Sequence, residues 1–239
     1  ADIEELIKPT MLVKAPIVPV SAITGEGMPQ LVAMIDKLLS EADPKKDTGR
    51  PRLPIDRVFT IAGSGTVVTG TLIDGSLSVG DELEIVPSGL KSRLRGLQTH
   101  KARVTTAGPG SRVAANLVGI ATTQVQRGDV LTKPGWLVPT TLLSAHLHLL
   151  PDVPRPLVHG IAVSFHTGTA ETMAKVRLLE QEKLQLGEWA WVQMVLSQPV
   201  ALVKGDRFII RSTMETLGGG NVVDVYAKRL RRFRPEIIE

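Results

Sequence analysis

Near the start of the chain, hydrophobic residues recur at helical spacing. In GEGMPQLVAMIDKLLSEA the apolar positions i, i+3, i+4, i+7 and i+8 are Leu31, Met34, Ile35, Leu38 and Leu39. This spacing predicts a helix with one apolar face. The β-branched run PIVPVSA before it predicts a strand. Because one strand and one helix cannot close a core, we expect residues 1–48 to be the C-terminal remnant of an α/β domain with its linker.

After the linker sequence ADPKKDTGRPRLP, the pattern changes to short β-type runs. RVFTI, TVVTGTLI, DELEIV, RLRGLQT and RVAANLVGI are separated by turn sequences such as DG, PSG and AGPG. A second series contains TTLLSAHLHLL, LVHGIAVSFHT, MAKVRLL, WAWVQMVL and DRFIIRS. Short strands at close turn spacing predict antiparallel barrels. The predicted fold is mainly β, with two consecutive antiparallel β-barrels at 49–136 and 137–239 after the α/β remnant.

Two local patterns favour a structural interpretation over a binding site. The glycines Gly218 to Gly220 favour a tight loop, because glycine tolerates positive φ. His146 and His148 share one face of a predicted strand, but no acidic residue joins them at metal-ligand spacing. We therefore expect no metal site.

The composition excludes several classes of protein. The chain has 239 residues, of which 43% are hydrophobic and 22% charged, as in soluble globular proteins. It has no cysteine, which excludes disulfides, thiolate zinc sites, iron–sulfur clusters and cysteine nucleophiles. No apolar run reaches the ~18 residues of a membrane span, and ADIEELIKPT lacks the pattern of a secretory signal. We expect a cytoplasmic protein with no membrane partner.

Positive charge is concentrated in the first predicted barrel. The net charge is +4 overall, −3 over residues 1–48, +5 over 49–136 and +2 over 137–239. The basic stretch of the first barrel contains Arg93, Arg95, Lys101 and Arg103. Arg93 and Arg95 share a strand face by the period of two, which predicts a stripe that contacts a nucleic-acid backbone. A solvated outer face explains the same pattern equally well.

Several motifs resemble those of translational GTPases of the elongation factor Tu type. RPRLPIDRVFTIAGSGTVVTGTL, LSVGDELEIVP, LRGLQTHK, AGPGSRVAANLVGI and VQRGDVLTKPG are similar in order and spacing to the second domain of those proteins. VPVSAITGEGMPQL resembles their last guanine-recognition loop, with Ser21 and Ala22 at the position that contacts guanine. FHTGTAETMAKVRLL, QPVALVKGDRFIIRS and TLGGGNVVD resemble the third domain of one subgroup, the selenocysteine-specific elongation factors.

The motifs that bind nucleotide phosphates do not occur in this chain. It contains no G-x-x-x-x-G-K-[ST], no DxxG switch and no NKxD element. The resemblance implies that the intact protein binds GTP and magnesium and hydrolyses GTP. We expect this chain alone to bind no cofactor and to be inactive. It also has no G-x-S-x-G or H-E-x-x-H motif, so no catalytic residue is assigned.

The resemblance also implies an aminoacyl pocket in the first barrel. The motifs LPIDRVF and GPGSRVAANL place Asp56, Arg57 and Arg112 there. A selenol is more acidic than a thiol, so the selenocysteine side chain would be an anion that two guanidiniums could recognise. Asp56 would then take the α-amino group. The alternative is that Asp56 and Arg57 form a strand-edge ion pair of little consequence.

The function implied by the resemblance is delivery of selenocysteinyl-tRNA to the ribosome at UGA codons. The basic stripe would contact the tRNA backbone, the second barrel would add further tRNA contacts, and a messenger RNA element would bind through missing C-terminal domains. Two alternatives stay open. One is a general aminoacyl-tRNA or initiator-tRNA carrier, against which the pair Arg57 and Arg112 argues, and the other is a double-barrel module that docks proteins.

Overall fold

The computed structural model describes residues 2–8, 10–43, 47–61, 63 and 65–234. The chain divides into two units, residues 1–44 and residues 45–239. The first unit contains two helices, α1 (Asp2–Ile7) and α2 (Met28–Glu41). Neither described helix is long and apolar enough to cross a membrane.

Helix α2 confirms the helical pattern, whereas the strand predicted for PIVPVSA is wrong. The described part of residues 15–22 pairs with no other strand. A strand exists only where a neighbour supplies ladder hydrogen bonds, and the first unit contains none among its described residues. At the start of α2, Gly27 has φ of 74°, and a Cβ there would lie 2.0 Å from the carbonyl oxygen of Pro19. Only glycine fits this turn.

Six strands of the second unit form a first closed barrel in the order β4-β9-β1-β2-β8-β5, with β4 paired to β5. Strand β6 extends this sheet beyond β5, and β3 pairs with β7. A short 3-10 helix covers Thr122–Gln124. The strands are β1 (Arg52–Ile61), β2 (Gly65–Thr71), β3 (Leu77–Ser78), β4 (Glu82–Val86), β5 (Leu90–Thr99), β6 (Ala102–Val104), β7 (Thr106–Ala107), β8 (Arg112–Leu117) and β9 (Val130–Thr132).

Six further strands form a second closed barrel in the order β10-β15-β13-β12-β16-β17, and β11 pairs with β14 beside it. Along the strands, every second side chain points into the barrel, as the period-two pattern predicts. These inward side chains, most of them aliphatic, fill the core of each barrel. The strands are β10 (Thr140–Leu149), β11 (Leu157–Val158), β12 (Ala162–Thr167), β13 (Ala170–Leu178), β14 (Lys183–Leu184), β15 (Trp189–Val200), β16 (Arg207–Arg211) and β17 (Thr216–Asp224).

The three glycines Gly218 to Gly220 lie inside strand β17, so the prediction of a tight loop is wrong. They pair with β10 on one side and β16 on the other. A Cβ on Gly220 would lie 1.9 Å from the carbonyl oxygen of His146, and one on Gly218 would lie 2.1 Å from that of His148. The glycines therefore allow two strands of the closed barrel to approach more closely than any side chain permits.

The two barrels contact each other through an apolar cluster and a buried cation. The cluster is formed by Val86, Val130, Leu137 and Ala201. Beside it, Arg52 donates hydrogen bonds to Asp74 of the first barrel and, at 2.6 Å, to Asp206 of the second. Burial alone would lower the pKa of Arg52, but the ion pairs with both carboxylates outweigh it and raise that pKa.

Candidate functional site

A β-bulge in strand β1 places two consecutive charged residues on the outside of the first barrel. Ile55 and Arg57 pair with consecutive residues of β2, Gly70 and Thr69, so Asp56 is an extra residue. Ile55 and Val58 both pack on the core, although strict alternation would put them on opposite faces. The bulge therefore leaves Asp56 and Arg57 together on the outer face.

Asp56 is held by two side chains from the neighbouring strands. Arg112, at the start of β8, donates through Nη1 to Oδ2 and through Nη2 to Oδ1 at 3.0 Å, as a two-pronged pair. Thr69 of β2 donates its hydroxyl to Oδ1 at 2.8 Å. The Asp56 side chain is 20% exposed and that of Arg112 is 50% exposed. The pair is open to solvent on the arginine side.

Asp56, Arg57 and Arg112 form a charged cluster in which the two arginines are paired unequally. Partial burial would raise the pKa of Asp56, but hydrogen bonds from Arg112 and Thr69, with the charges of Arg112 and Arg57, outweigh it and lower that pKa. The hydrogen bond to Asp56 raises the pKa of Arg112. Within the described part of the chain the side chain of Arg57 forms no hydrogen bond and no ion pair within 4 Å, and it is exposed. The partner of Asp56 is thus Arg112, not the Arg57 of the simple strand-edge alternative.

A cavity of about 430 Å³ lies on the same outer face, between β1, β2, β8, β5 and β6. Its apolar wall is exposed, with Phe59 at 39%, Ile61 at 41% and Val79 at 44%. Sequence reasoning missed this wall, although apolar residues at alternate positions after Arg57 were a usable signal. The other lining residues are Val67, Arg95, Gly96, Leu97, Gln98, Arg103, Val104, Ala114 and Asn116.

Two of the four predicted tRNA-contact residues lie at this cavity. Arg95 is the extra residue of a second bulge, in β5, where Leu94 and Leu97 both pack on the core. Arg95 therefore faces outward beside Gly96 and lines the cavity with Arg103 of β6.

The other two basic residues of the predicted stripe do not line the cavity. Arg93 donates to the carbonyl oxygen of Gly80 at 3.3 Å, on the part of β5 that pairs with β4. Lys101 lies with His100 in the two-residue turn between β5 and β6, where both have positive φ, 65° and 49°. Such a turn matches the twist of a hairpin, and it puts Lys101 at the tip.

The charged cluster and the cavity are neighbours on the outer face of the barrel. Residues that lie opposite one another on adjacent strands form a row across the sheet, and the cluster and the cavity occupy neighbouring outward-facing rows. Thr69 lies opposite Arg57 on one side and Ala114 on the other, and Ala114 lines the cavity. In the next row Phe59 lies opposite Val67. Rows two residues apart on one face are separated by about 7 Å, because a strand rises about 3.4 Å per residue. One ligand can therefore contact both the cluster and the cavity.

The predicted guanine-recognition residues lie in the first unit, in a loop before α2. The N–H of Ser21 donates to the carbonyl oxygen of Glu26 at 2.9 Å, and the Ser21 hydroxyl accepts from the N–H of Thr24 at 3.2 Å. Ala22 is exposed in the same loop. The loop is closed by its own hydrogen bonds, and the position of a nucleotide on it stays a prediction.

The paired histidines of β10 have aromatic partners. His146 stacks on Trp189 at 4.7 Å between ring centroids and contacts Trp191 at 4.6 Å, and His148 stacks on Trp189 at 4.7 Å. Among the described residues no three His, Asp or Glu side chains converge in a group that could hold a metal ion. The two histidines thus belong to an aromatic stack across β10 and β15.

The barrels match known proteins in the order in which they occur. A family model for elongation factor Tu domain 2 matches residues 65–132, and one for the selenocysteine-specific elongation factor β-barrel domain matches residues 144–229. A curated selenocysteine-specific elongation factor from Desulfomicrobium baculatum is 41% identical over 233 residues, which cover 97% of this chain. The chain spans 37% of the length of that relative. With the similarity extending over both barrels, the chain belongs to the family of selenocysteine-specific elongation factors.

Proposed function

We propose that this chain handles aminoacyl-tRNA within a factor that delivers selenocysteinyl-tRNA to the ribosome at UGA codons in the cytoplasm. On this proposal the whole factor binds GTP with magnesium through a complete GTPase domain. A messenger RNA element is recognised by domains outside this chain. The loop with Ser21 and Ala22 contributes the last contact to guanine.

The observation that supports the proposal best is the contiguity of the charged cluster and the cavity. A tRNA ends in a nucleoside that bears the amino acid on its ribose, so a binding site for this end needs two adjacent parts. The exposed apolar wall with Phe59 and Ile61 suits the flat face of a nucleobase. Arg95 and Arg103 at the cavity suit phosphates, whose contacts supply sequence-independent affinity.

The neighbouring cluster suits a selenocysteine side chain. The Arg57 side chain forms no hydrogen bond and no close ion pair among the described residues, and Arg112 keeps part of its guanidinium open to solvent. Guanidiniums stay charged at any accessible pH and are weakly hydrated, so they favour an anionic selenolate over the neutral hydroxyl of serine. Asp56 is an ionised carboxylate at neutral pH and can accept hydrogen bonds from the α-amino group.

The test compares three ligands on the full-length factor loaded with a GTP analogue. We expect selenocysteinyl-tRNA to bind more tightly than seryl-tRNA, and seryl-tRNA to bind no better than uncharged tRNA. Equal affinity for selenocysteinyl-tRNA and seryl-tRNA would indicate a general aminoacyl-tRNA carrier. Failure of all three to bind would indicate a double-barrel module that docks proteins, and would overturn the proposal.

A further inference from the structure

Asp56 is followed directly by Arg57 in the sequence, yet its carboxylate binds an arginine that lies 56 positions away. Arg112 reaches across β2 from β8 and donates to both carboxylate oxygens. Burial would raise the pKa of Asp56, but hydrogen bonds from Arg112 and Thr69 and the nearby charge of Arg57 lower it. Arg57 is therefore within electrostatic reach of the carboxylate, and some other contact decides which arginine Asp56 engages.

The hydroxyl of Thr69 supplies that contact. It donates to Oδ1 of Asp56 at 2.8 Å, and the same oxygen accepts from Nη2 of Arg112 at 3.0 Å. Thr69 lies directly opposite Arg57, so the two side chains are cross-strand neighbours on the outer face. Thr69 is half-buried and β-branched, which restricts its χ1 angle and holds the hydroxyl in place. Thr69 and Arg112 together fix the orientation of the carboxylate.

The bulge in β1 makes these side-chain contacts decisive. Asp56 is the extra residue, so no residue of β2 lies directly opposite it in the register. The printed orientation of its side chain depends on two hydrogen bonds from Arg112 and one from Thr69. A hydrogen bond to a charged group is worth a factor of about ten or more in an equilibrium. Without the hydroxyl, the carboxylate would turn toward Arg57 in part of the molecules.

We propose that Thr69 is a positioning residue that commits Asp56 to Arg112 and thereby keeps Arg57 available for an anionic amino-acid side chain. The inference rests on the aminoacyl site proposed above. An aminoacyl group with an anionic side chain carries opposite charges on neighbouring carbon atoms. Its site must present a carboxylate and a guanidinium side by side without letting them pair with each other. Asp56 and Arg57 meet this requirement while the carboxylate is held from the other side.

Two variants of Thr69 separate the hydroxyl from the rest of the side chain. Thr69→Val keeps the branched shape and suits a strand, so the barrel should still fold. Thr69→Ser keeps the hydroxyl and removes the methyl group. The matched control is Thr71→Val, which removes an exposed hydroxyl two residues further along the same strand.

NMR of the 239-residue chain without tRNA tests the positioning role. In Thr69→Val the pKa of Asp56 should rise, because the charged carboxylate loses a hydrogen bond, and the guanidinium signals of Arg57 should shift as it becomes engaged. Thr69→Ser and Thr71→Val should resemble the parent chain. A role confined to barrel stability would leave both signals in place. Unchanged signals in Thr69→Val, or equal changes in Thr71→Val, would overturn the proposal.

Binding of selenocysteinyl-tRNA and seryl-tRNA to the full-length factor tests the consequence for specificity. Thr69→Val should reduce the ratio of the two affinities about threefold or more, because only part of the molecules keep the competent arrangement. Thr69→Ser should largely restore the ratio, and Thr71→Val should leave it unchanged. A parent factor that binds both tRNAs equally would refute the proposed function itself. A parent that discriminates, with the same ratio in Thr69→Val, would refute the role of Thr69 alone.

Discussion

The guanidinium of Arg52, at the start of the first barrel, donates a 2.6 Å hydrogen bond to the carboxylate of Asp206 in the second barrel. The same guanidinium donates twice to Asp74. Arg52 is only 8% exposed, so both ion pairs are shielded on the arginine side. Removing one partner from a buried charge pair costs more than the pair contributes, because the remaining charge stays desolvated.

We predict that Arg52→Gln lowers the free energy of unfolding by about 2–5 kcal/mol. The substitution leaves Asp206 and Asp74 without their cation at the barrel interface. Urea unfolding followed by tryptophan fluorescence measures the change, because Trp136 packs against the interface cluster and Trp189 lies on the second barrel. We further expect a broader transition, since the two barrels would unfold less cooperatively.

The matched control is Arg207→Gln, which removes an exposed arginine next to Asp206. Its effect should stay within about 0.5 kcal/mol, as is usual for surface substitutions. Equal losses for the two variants would show that Arg52 does not couple the barrels.

A second prediction concerns the glycine run of β17. Gly220→Ala should lower the free energy of unfolding by about 3 kcal/mol or prevent folding, because the new Cβ would overlap the carbonyl oxygen of His146. Thermal unfolding measures the loss. Gly96→Ala is the control on another strand, because a Cβ there meets nothing within 4 Å. That variant should unfold within about 1 kcal/mol of the parent, and an equally large loss would contradict the close-approach explanation.

The sequence predicts the barrels well because the inward positions of their strands alternate with a period of two. It fails where one residue breaks the period. The bulges at Asp56 and Arg95 shift all following side chains of the strand to the other face. No turn residue near either position indicates a bulge in the sequence. Strand β17 was missed because Gly218 to Gly220 has the composition of a loop. Its glycines are required by the neighbouring strand, which lies far away along the chain.

Only part of the candidate site could be predicted from the sequence. The family resemblance selected Asp56 and Arg112, which lie 56 positions apart and form an ion pair in the structure. The alternate spacing of Phe59 and Ile61 indicates that they share one face of the strand, but spacing alone does not distinguish an exposed apolar face from a buried one, so the apolar wall was not predicted. Which basic residues converge was not predictable either. A hairpin turn separates Lys101 from the cavity, whereas a bulge turns Arg95 toward it.

A third prediction follows from Asp129, a buried carboxylate that accepts from the N–H of Gln126 at 3.0 Å. Burial raises its pKa. The stability that this group contributes is complete below the pKa of the unfolded chain, about 3.9, and is lost as the pH rises through the higher folded-state pKa. Asp129→Asn keeps an acceptor oxygen and removes the charge. The variant should become more stable relative to the parent as the pH rises from about 3 to 7.

Chemical denaturation of both chains across this pH range checks the sign. A stability difference that stays constant with pH would mean that Asp129 ionises equally easily in the folded and unfolded chains. A difference that falls with rising pH would mean that its hydrogen bonds, rather than burial, dominate.

A fourth prediction separates the basic residues at the cavity from the rest of the predicted stripe. In the full-length factor, replacing Arg95 and Arg103 by alanine should reduce the slope of log affinity against log salt by about two for any tRNA, because each phosphate contact releases counterions. Replacing Arg93 and Lys101 is the matched pair, with the same loss of charge away from the cavity. A slope that falls equally for both pairs would assign tRNA contact to the whole stripe, and an unchanged slope for both would mark it as a solvated face.

The final prediction concerns how the factor distinguishes selenocysteine from serine. Arg57→Ala or Arg112→Ala in the full-length factor should weaken selenocysteinyl-tRNA binding about tenfold or more, as expected for losing a hydrogen bond to an anion. Seryl-tRNA should be affected much less, because its hydroxyl carries no charge for the guanidinium to attract. Lysine at either position should restore binding only in part, since an ammonium lacks the planar fork of donors.

The two arginines should differ in one further respect, which follows from their unequal pairing. Arg112 is engaged by Asp56, so its recruitment to an anionic ligand must weaken an existing ion pair, whereas Arg57 has no such bond to break. Asp56→Asn should therefore reduce the selectivity loss caused by Arg57→Ala, because it releases Arg112. Arg93→Ala removes an exposed arginine of the same barrel and should leave the selectivity unchanged.

Filter binding with selenocysteinyl-tRNA and seryl-tRNA measures the selectivity of each variant. Equal losses of affinity for the two tRNAs would mean that the arginines hold the tRNA terminus or stabilise the barrel, and the selenolate assignment would be abandoned.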